Sequence, residues 1–193
     1  MPIDIPTDLL DVSKYEGLVV ELRYADSDNF LGMPVYGDFK QCLLRRIAAE
    51  KLAVALGALK KQRPGWKLVA FDCWRPQDAQ EKMWAQVVGT PKQKYVADPK
   101  RGSLHNFGLA VDAGLRDTQG KMLDMGTSFD HFGPESHVTD EALLLKKGLL
   151  TQTHIDNRHI LRDIMQGAGF LQLPHEWWHY DALPKASARA LFH

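Results

Sequence analysis

The segment PHEWWHYD, residues 174–181, sets Glu176, His175 and His179 among three large aromatic side chains. Ionisable groups in such apolar surroundings are costly unless they are paired or bound to a metal. A second segment of the same kind, SLHNFGLAVD at 103–112, carries His105 and Asp112 seven residues apart, with Gly108 between them. A catalytic zinc ion takes three nitrogen or oxygen donors and keeps a fourth position open. His105, Asp112 and His179 supply that set. Glu176, three residues before His179, then stands beside the open position as a general base for a metal-activated water. The Hx6D spacing alone is weak, and a lone histidine among aromatics is more often a satisfied core residue than a ligand. Two such motifs in one small chain favour the metal. His131, His137, His154, His159, His175 and His193 have no comparable setting and read as surface or core residues.

A third segment, FDCWRP at 71–76, places Asp72 and Arg75 at the end of an apolar run. Arg75 has the planar fork that can donate two parallel hydrogen bonds to a developing oxyanion. The alternative is an Arg75–Asp72 surface ion pair of little consequence. These residues by themselves leave both readings open.

Elements must bring the three segments together. LVVELRYA (18–25) alternates as a strand, and DNFLGMPVYGD (28–38) is a loop. Apolar residues recur at helical spacing from Phe39 to Lys61, and RPG (63–65) ends that helix. WKLVAFD (66–72) reads as a buried strand. Pro76 opens a second helix over QDAQEKMWAQVV. KQKYVADPKRGS (92–103) is a polar loop, GLAVDAGL (108–115) a strand, and DTQG (117–120) turns it into a hairpin with KMLDMG (121–126). Residues 127–138 lack periodicity. Helical patterns return over 140–148 and 154–167, closed by GAGF (167–170). Positions i and i+3 of a strand face opposite sides, so the chain is expected to turn near Glu176 and enter a strand at Trp178. The order predicts an α+β fold, with helices on a mostly antiparallel sheet, forming a single domain over residues 1–193.

The totals exclude several function classes. Lys plus Arg equals Asp plus Glu, at 24 each, so no global field draws the 193-residue chain to nucleic acid or an anionic membrane. A small or zwitterionic partner fits better. The start, MPIDIPTDLL, is acidic and proline-bearing rather than a signal peptide, and no apolar run spans a bilayer, so a cytoplasmic protein is expected. Cys42 and Cys73 form no CxxC pair. One disulfide between them is possible, but two reduced core thiols are the plainer expectation.

With FDCWRP, SLHNFGLAVD, MGTSFD and EWWHY in this order, and LRYADSDNFLG (22–32) ahead of them, the chain resembles the zinc D-alanyl-D-alanine dipeptidases of the vancomycin-resistance type. These sit in the wider hedgehog/D,D-peptidase-like fold group. The resemblance runs from about residue 18 to residue 181. It implies zinc, one ion per chain, on His105, Asp112 and His179, with Glu176 as base. Arg75 would stabilise the transition state, with Asp72 holding it or shaping the pocket. Ser103 would meet the substrate's carboxylate end, Asp130 its free amino terminus, and Tyr24 would line that same end. A family pocket tyrosine does not align cleanly in PVYGD (34–38), where Tyr36 takes its place from a shifted position. The implied substrate is D-Ala-D-Ala, hydrolysed by metal-activated water. The rival readings are a D,D-carboxypeptidase on peptidoglycan stems, a non-hydrolytic zinc module, and a zinc-free core.

Overall fold

A computed structural model describes residues 5–192; His193 and the first residues of the MPIDIPTDLL segment lie outside the described residues. The chain forms strands β1 (Leu9–Asp11), β2 (Leu18–Val20), β3 (Leu43–Arg45), β4 (Lys67–Asp72), β5 (Ala110–Arg116), β6 (Leu171–Gln172) and β7 (His179–Asp181). Helices are α1 (Arg46–Gln62), α2 (Gln77–Val87), α3 (Glu141–Lys146), α4 (Gln152–Gly167) and α5 (Lys185–Phe192). Five strands build the main sheet in the order β2-β4-β5-β7-β6, and β1 pairs with β3 apart from it. Only β2 and β4 run parallel; β4, β5, β7 and β6 are antiparallel neighbours. The α+β architecture with a mostly antiparallel sheet is as expected.

The central strands are apolar because both of their faces are covered. In β4 every residue after Lys67 is buried, and in β5 every residue before Arg116. The stripe Ala48, Leu52, Ala55, Leu56 and Leu59 of α1 belongs to the same core as Leu161, Ile164 and Met165 of α4. Close approach demands glycine at 114, where a Cβ would come within 2.6 Å of the Phe71 ring.

Several boundaries differ from the sequence reading, each for a tertiary reason. The strand at 18–25 stops at Val20, and residues Arg23–Ala25 form a 3-10 turn. There the Tyr24 carbonyl accepts bonds from the amides of Val35 and Tyr36, at 2.9 and 3.1 Å, which pulls the tyrosine inward. The helix expected from Phe39 begins at Arg46, because Leu43–Arg45 pair with β1. Leu44 suits a helix stripe and a strand equally, and its partner across the ladder, Leu10, decides. The 117–126 hairpin reduces to a turn with Gly120 at φ 78° and one bridge between Arg116 and Met122. Thr151 caps α4 by accepting from the His154 amide while His154 Nδ1 accepts from the Thr151 amide, which gives that histidine a structural use. Strand β1 and helix α5 carried no sequence signal strong enough to be predicted.

The two cysteines are not reduced thiols. Cys42 and Cys73 form a disulfide with Cα atoms 5.3 Å apart, tying the residue before β3 to the residue after β4. Spacing in sequence could not decide this, since the pairing depends on where two separate elements meet.

Candidate active site

The antiparallel register sets the frame. Asp112 of β5 pairs with His179 of β7 on one side and, past a β-bulge, with Asp72 of β4 on the other. Directly opposed residues project to the same face, so three polar side chains from three strands stand in a row. His105 reaches them from the loop before β5. Gly108 turns that loop at φ 65°, and a Cβ there would lie 2.5 Å from Leu9 Cδ2 and 3.2 Å from the Arg45 amide nitrogen. Only glycine fits both the conformation and the space. The turn near Glu176 is present, with the strand entered at His179, one residue after the position expected.

His105 Nε2, Asp112 Oδ1 and His179 Nδ1 converge. Their separations are 3.3 Å (His105–Asp112), 2.9 Å (His179–Asp112) and 3.2 Å (His105–His179). Such spacings match the edges of a tetrahedral site, roughly 3.3 Å when donors lie about 2.0 Å from the ion. All three residues are buried. The opposite nitrogen of each imidazole is engaged: His105 Nδ1 with the Cys73 carbonyl at 2.7 Å, His179 Nε2 with Asp181 Oδ1 at 2.8 Å. Both acceptors require a protonated nitrogen, which leaves the converging nitrogens free to bind a cation. The donor set therefore fits a divalent metal ion.

Electrostatics agree with that reading. Burial works to raise the Asp112 carboxyl, but His105 and then His179 outweigh it and hold it below the ordinary carboxylate range. Burial pushes Glu176 up to about 7, against the opposing charge of His179. Its Oε2 lies 3.8 Å from His179 Nδ1, beside the converging donors and outside hydrogen-bond range of that nitrogen. A carboxyl poised near neutrality suits proton transfer in both directions.

Arg75 is buried and held from two sides. Nε and Nη2 donate to Asp72 Oδ2 at 3.0 and 2.7 Å, and Nη1 donates to Gln80 Oε1 at 2.8 Å. Asp72 Oδ1 accepts from the Tyr36 hydroxyl at 2.6 Å and the Cys73 amide at 2.9 Å. Three of five guanidinium protons are thus used, leaving two for a ligand. Asp72 itself is fully buried behind Arg75 and does not line the cavity. The surface-pair alternative is excluded by that burial.

A cavity of about 210 Å³ lies over these groups, lined also by Tyr24, Ser103, Asp130 and Trp178. Drug-sized ligands take about 300–1,000 Å³, so this space suits a very small molecule. Asp130 supplies one of its carboxyl groups. The Tyr24 hydroxyl donates to both carboxylate oxygens, at 2.9 and 3.1 Å, and the Phe30 amide approaches one of them at 3.4 Å. Desolvation, then the Asp112 charge, raises the Asp130 carboxyl well above its usual range. Ser103 Oγ accepts from the His105 amide at 3.3 Å, so its own proton is free for another acceptor.

Sequence reasoning missed Gln80, Asp181 and the Cys73 carbonyl. Asp181 had a usable signal, since it lies two residues after His179 and so on the same strand face. The other two partners depend on how separate elements pack.

A profile of the D-ala-D-ala dipeptidase family matches residues 7–193. The chain belongs to this family. It is therefore a metallopeptidase, and His105, Asp112 and His179 are a group that could hold a metal ion. It is 36% identical over 186 residues to the D-alanyl-D-alanine dipeptidase of Escherichia coli, covering 96% of this chain and 89% of that protein. The enzyme of that name from Enterococcus faecalis is 32% identical over 185 residues, covering 85% of each chain. The one from Streptomyces coelicolor is 31% identical over 183 residues, again covering 85% of each. Among solved structures, an LD-carboxypeptidase is similar at 19% identity with a TM-score of 0.47, covering 96% of this chain and 72% of that one.

Proposed function

We propose that the protein hydrolyses D-alanyl-D-alanine to two D-alanines, with one zinc ion held by His105, Asp112 and His179, in a single catalytic domain over residues 1–193. The observation that carries the substrate is Asp130. This carboxylate faces the cavity with no cationic partner among the described residues, and the ammonium of a free dipeptide would neutralise it. A longer peptidoglycan stem has no ammonium at that distance from the scissile bond.

Each residue then has a task. Ser103 donates to the substrate carboxylate, while Asp130 and Tyr24 hold the amino end. When bound, zinc supplies Lewis acidity at the carbonyl and makes water acidic near neutral pH. Glu176 accepts the proton of the attacking water as its oxygen adds to the carbonyl carbon. Arg75 donates its two unused N–H groups to the oxyanion, an interaction worth roughly 3–4 kcal/mol per lost donor in comparable sites. Glu176 then passes the proton to the leaving amine, and the C–N bond breaks. Asp72, Tyr36 and Gln80 keep the guanidinium from swinging, so no reorganisation is needed as charge develops.

The biological consequence is either depletion of a cell-wall precursor or recovery of D-alanine from a dipeptide pool. No described helix is long and apolar enough to cross a membrane. The Cys42–Cys73 disulfide weighs against the cytoplasmic setting, since such bonds persist chiefly in oxidising compartments. The test is release of alanine by zinc-loaded protein from D-Ala-D-Ala, L-Ala-L-Ala and N-acetylated D-Ala-D-Ala. Cleavage of the free D,D-dipeptide alone is expected. Cleavage of the blocked peptide would make the protein a D,D-carboxypeptidase, and cleavage of none, with zinc still bound, would favour a non-hydrolytic module or a substrate outside these three.

A further inference from the structure

Arg158, on α4, is wholly buried, yet it does not line the active-site cavity. Its Nε donates to the Met125 carbonyl at 2.7 Å and its Nη2 to the Glu135 carbonyl at 2.8 Å. Asp130 lies midway between those two residues in sequence. The intervening segment has no helix or strand until the 3-10 turn at Pro134–Ser136, and Asp130 adopts φ 60°. Aspartate is among the few non-glycine residues that tolerate that conformation.

The other ties of this loop point the same way. Asn157, beside Arg158 on α4, donates through Nδ2 to the Asp124 carbonyl at 2.8 Å. Trp177 Nε1 donates to Thr127 Oγ1 at 2.8 Å, which joins the loop to the segment bearing Glu176. Inside the loop, Ser136 Oγ donates to the His131 carbonyl at 2.7 Å. Among the described residues outside the loop, Arg158 is the one whose side chain bonds both limbs, which Thr127 Oγ1 and Ser136 Oγ also join directly at 3.2 Å. Its remaining nitrogen, Nη1, has Glu141 Oε1 at 3.8 Å, and Arg162 Nη2 holds that oxygen at 2.7 Å. The guanidinium fork spans two carbonyls at once, a geometry that a lysine ammonium on its flexible stem does not reproduce.

We infer that Arg158 is a positioning residue for the amine end of the substrate: by pinning both limbs of the 125–135 loop it sets the place of the Asp130 carboxylate. This rests on the proposed reading of Asp130 as the ammonium acceptor. The metal triad lies on other elements, so losing the clamp weakens substrate binding while leaving the zinc site and the chemical step in place.

The experiment compares zinc-loaded wild type, Arg158→Met, Arg158→Lys, Asp130→Asn and the Arg158→Met/Asp130→Asn double variant. It reads KM and kcat for D-Ala-D-Ala, zinc content, and amide hydrogen exchange across residues 126–134. Arg158→Met is expected to raise KM by about tenfold or more, keep kcat within about threefold, and accelerate exchange in the loop. Arg158→Lys should fall between it and wild type, and decides the matter if the methionine variant does not fold. In the Asp130→Asn background the Arg158 substitution should add nothing to KM. An unchanged KM, or a KM increase of equal size in both backgrounds, overturns the inference. If wild type cleaves no D-Ala-D-Ala, the proposed function has failed; the exchange comparison then decides the clamp, and unchanged loop exchange in both Arg158 variants overturns it.

Discussion

Asp181 accepts a hydrogen bond from His179 Nε2 at 2.8 Å, two residues further along the same strand, while His179 Nδ1 faces Asp112. One short strand thus contributes both an imidazole donor and the group that orients it. Burial would lower the His179 pKa, but Asp181 and then Asp112 raise it well above the ordinary value, so the ring is electron-rich toward a cation. Asp181→Asn is expected to reduce zinc affinity by about 10–100-fold, the usual cost of losing an orienting carboxylate. Competition against a chelator of known affinity measures it.

Glu176→Gln should retain zinc at one ion per chain and lose turnover by about 10²–10⁴-fold, because the amide cannot accept the water's proton. Loss of metal together with turnover would make Glu176 a ligand instead.

The same residue gives the metal-free protein a pH signature. Its folded pKa of about 7 stands above its ordinary value of 4.5, so folding takes up a proton between those limits. The stabilisation is complete below pH 4.5 and is lost as pH rises through about 7. The metal-free wild type should therefore lose thermal stability between about pH 4.5 and about pH 7 and level off above that, and metal-free Glu176→Gln should lose less over the same window. An identical fall in both, by calorimetry, would contradict the assignment.

Asp130→Asn removes the charge proposed to meet the substrate ammonium. A charge-assisted hydrogen bond contributes about 1.5–3 kcal/mol, so KM for D-Ala-D-Ala should rise by roughly 10–100-fold. Discrimination against the N-acetylated peptide should shrink in parallel. An unchanged preference removes Asp130 from substrate binding.

The Cys42–Cys73 bond closes a span of 31 residues, for which chain entropy predicts a stabilisation of about 3–4 kcal/mol. Denaturant unfolding with and without reductant tests this. Cys73 also supplies the carbonyl that orients His105, so reduction should weaken zinc binding as well as the fold.

The chemistry was legible because it depends on residue type over short spans. His105 and Asp112 flank a glycine turn, Glu176 and His179 sit in an aromatic segment, and Arg75 ends a buried strand; burial makes such ionisable groups conspicuous wherever they occur. The strands at 66–72 and 108–115 were equally plain, since cover on both faces leaves continuous apolar runs.

What only the tertiary structure decided was pairing. Leu44 could serve helix or strand until Leu10 lay across from it, and the two cysteines could be thiols until β3 and β4 brought them together. The row of Asp72, Asp112 and His179 exists because of a register with a bulge, and the Arg158 clamp because α4 packs beneath a loop without periodicity. Local sequence determines which groups are able to act. Their meeting depends on contacts between residues up to 106 positions apart, as for Tyr24 and Asp130, whose energy no local pattern encodes.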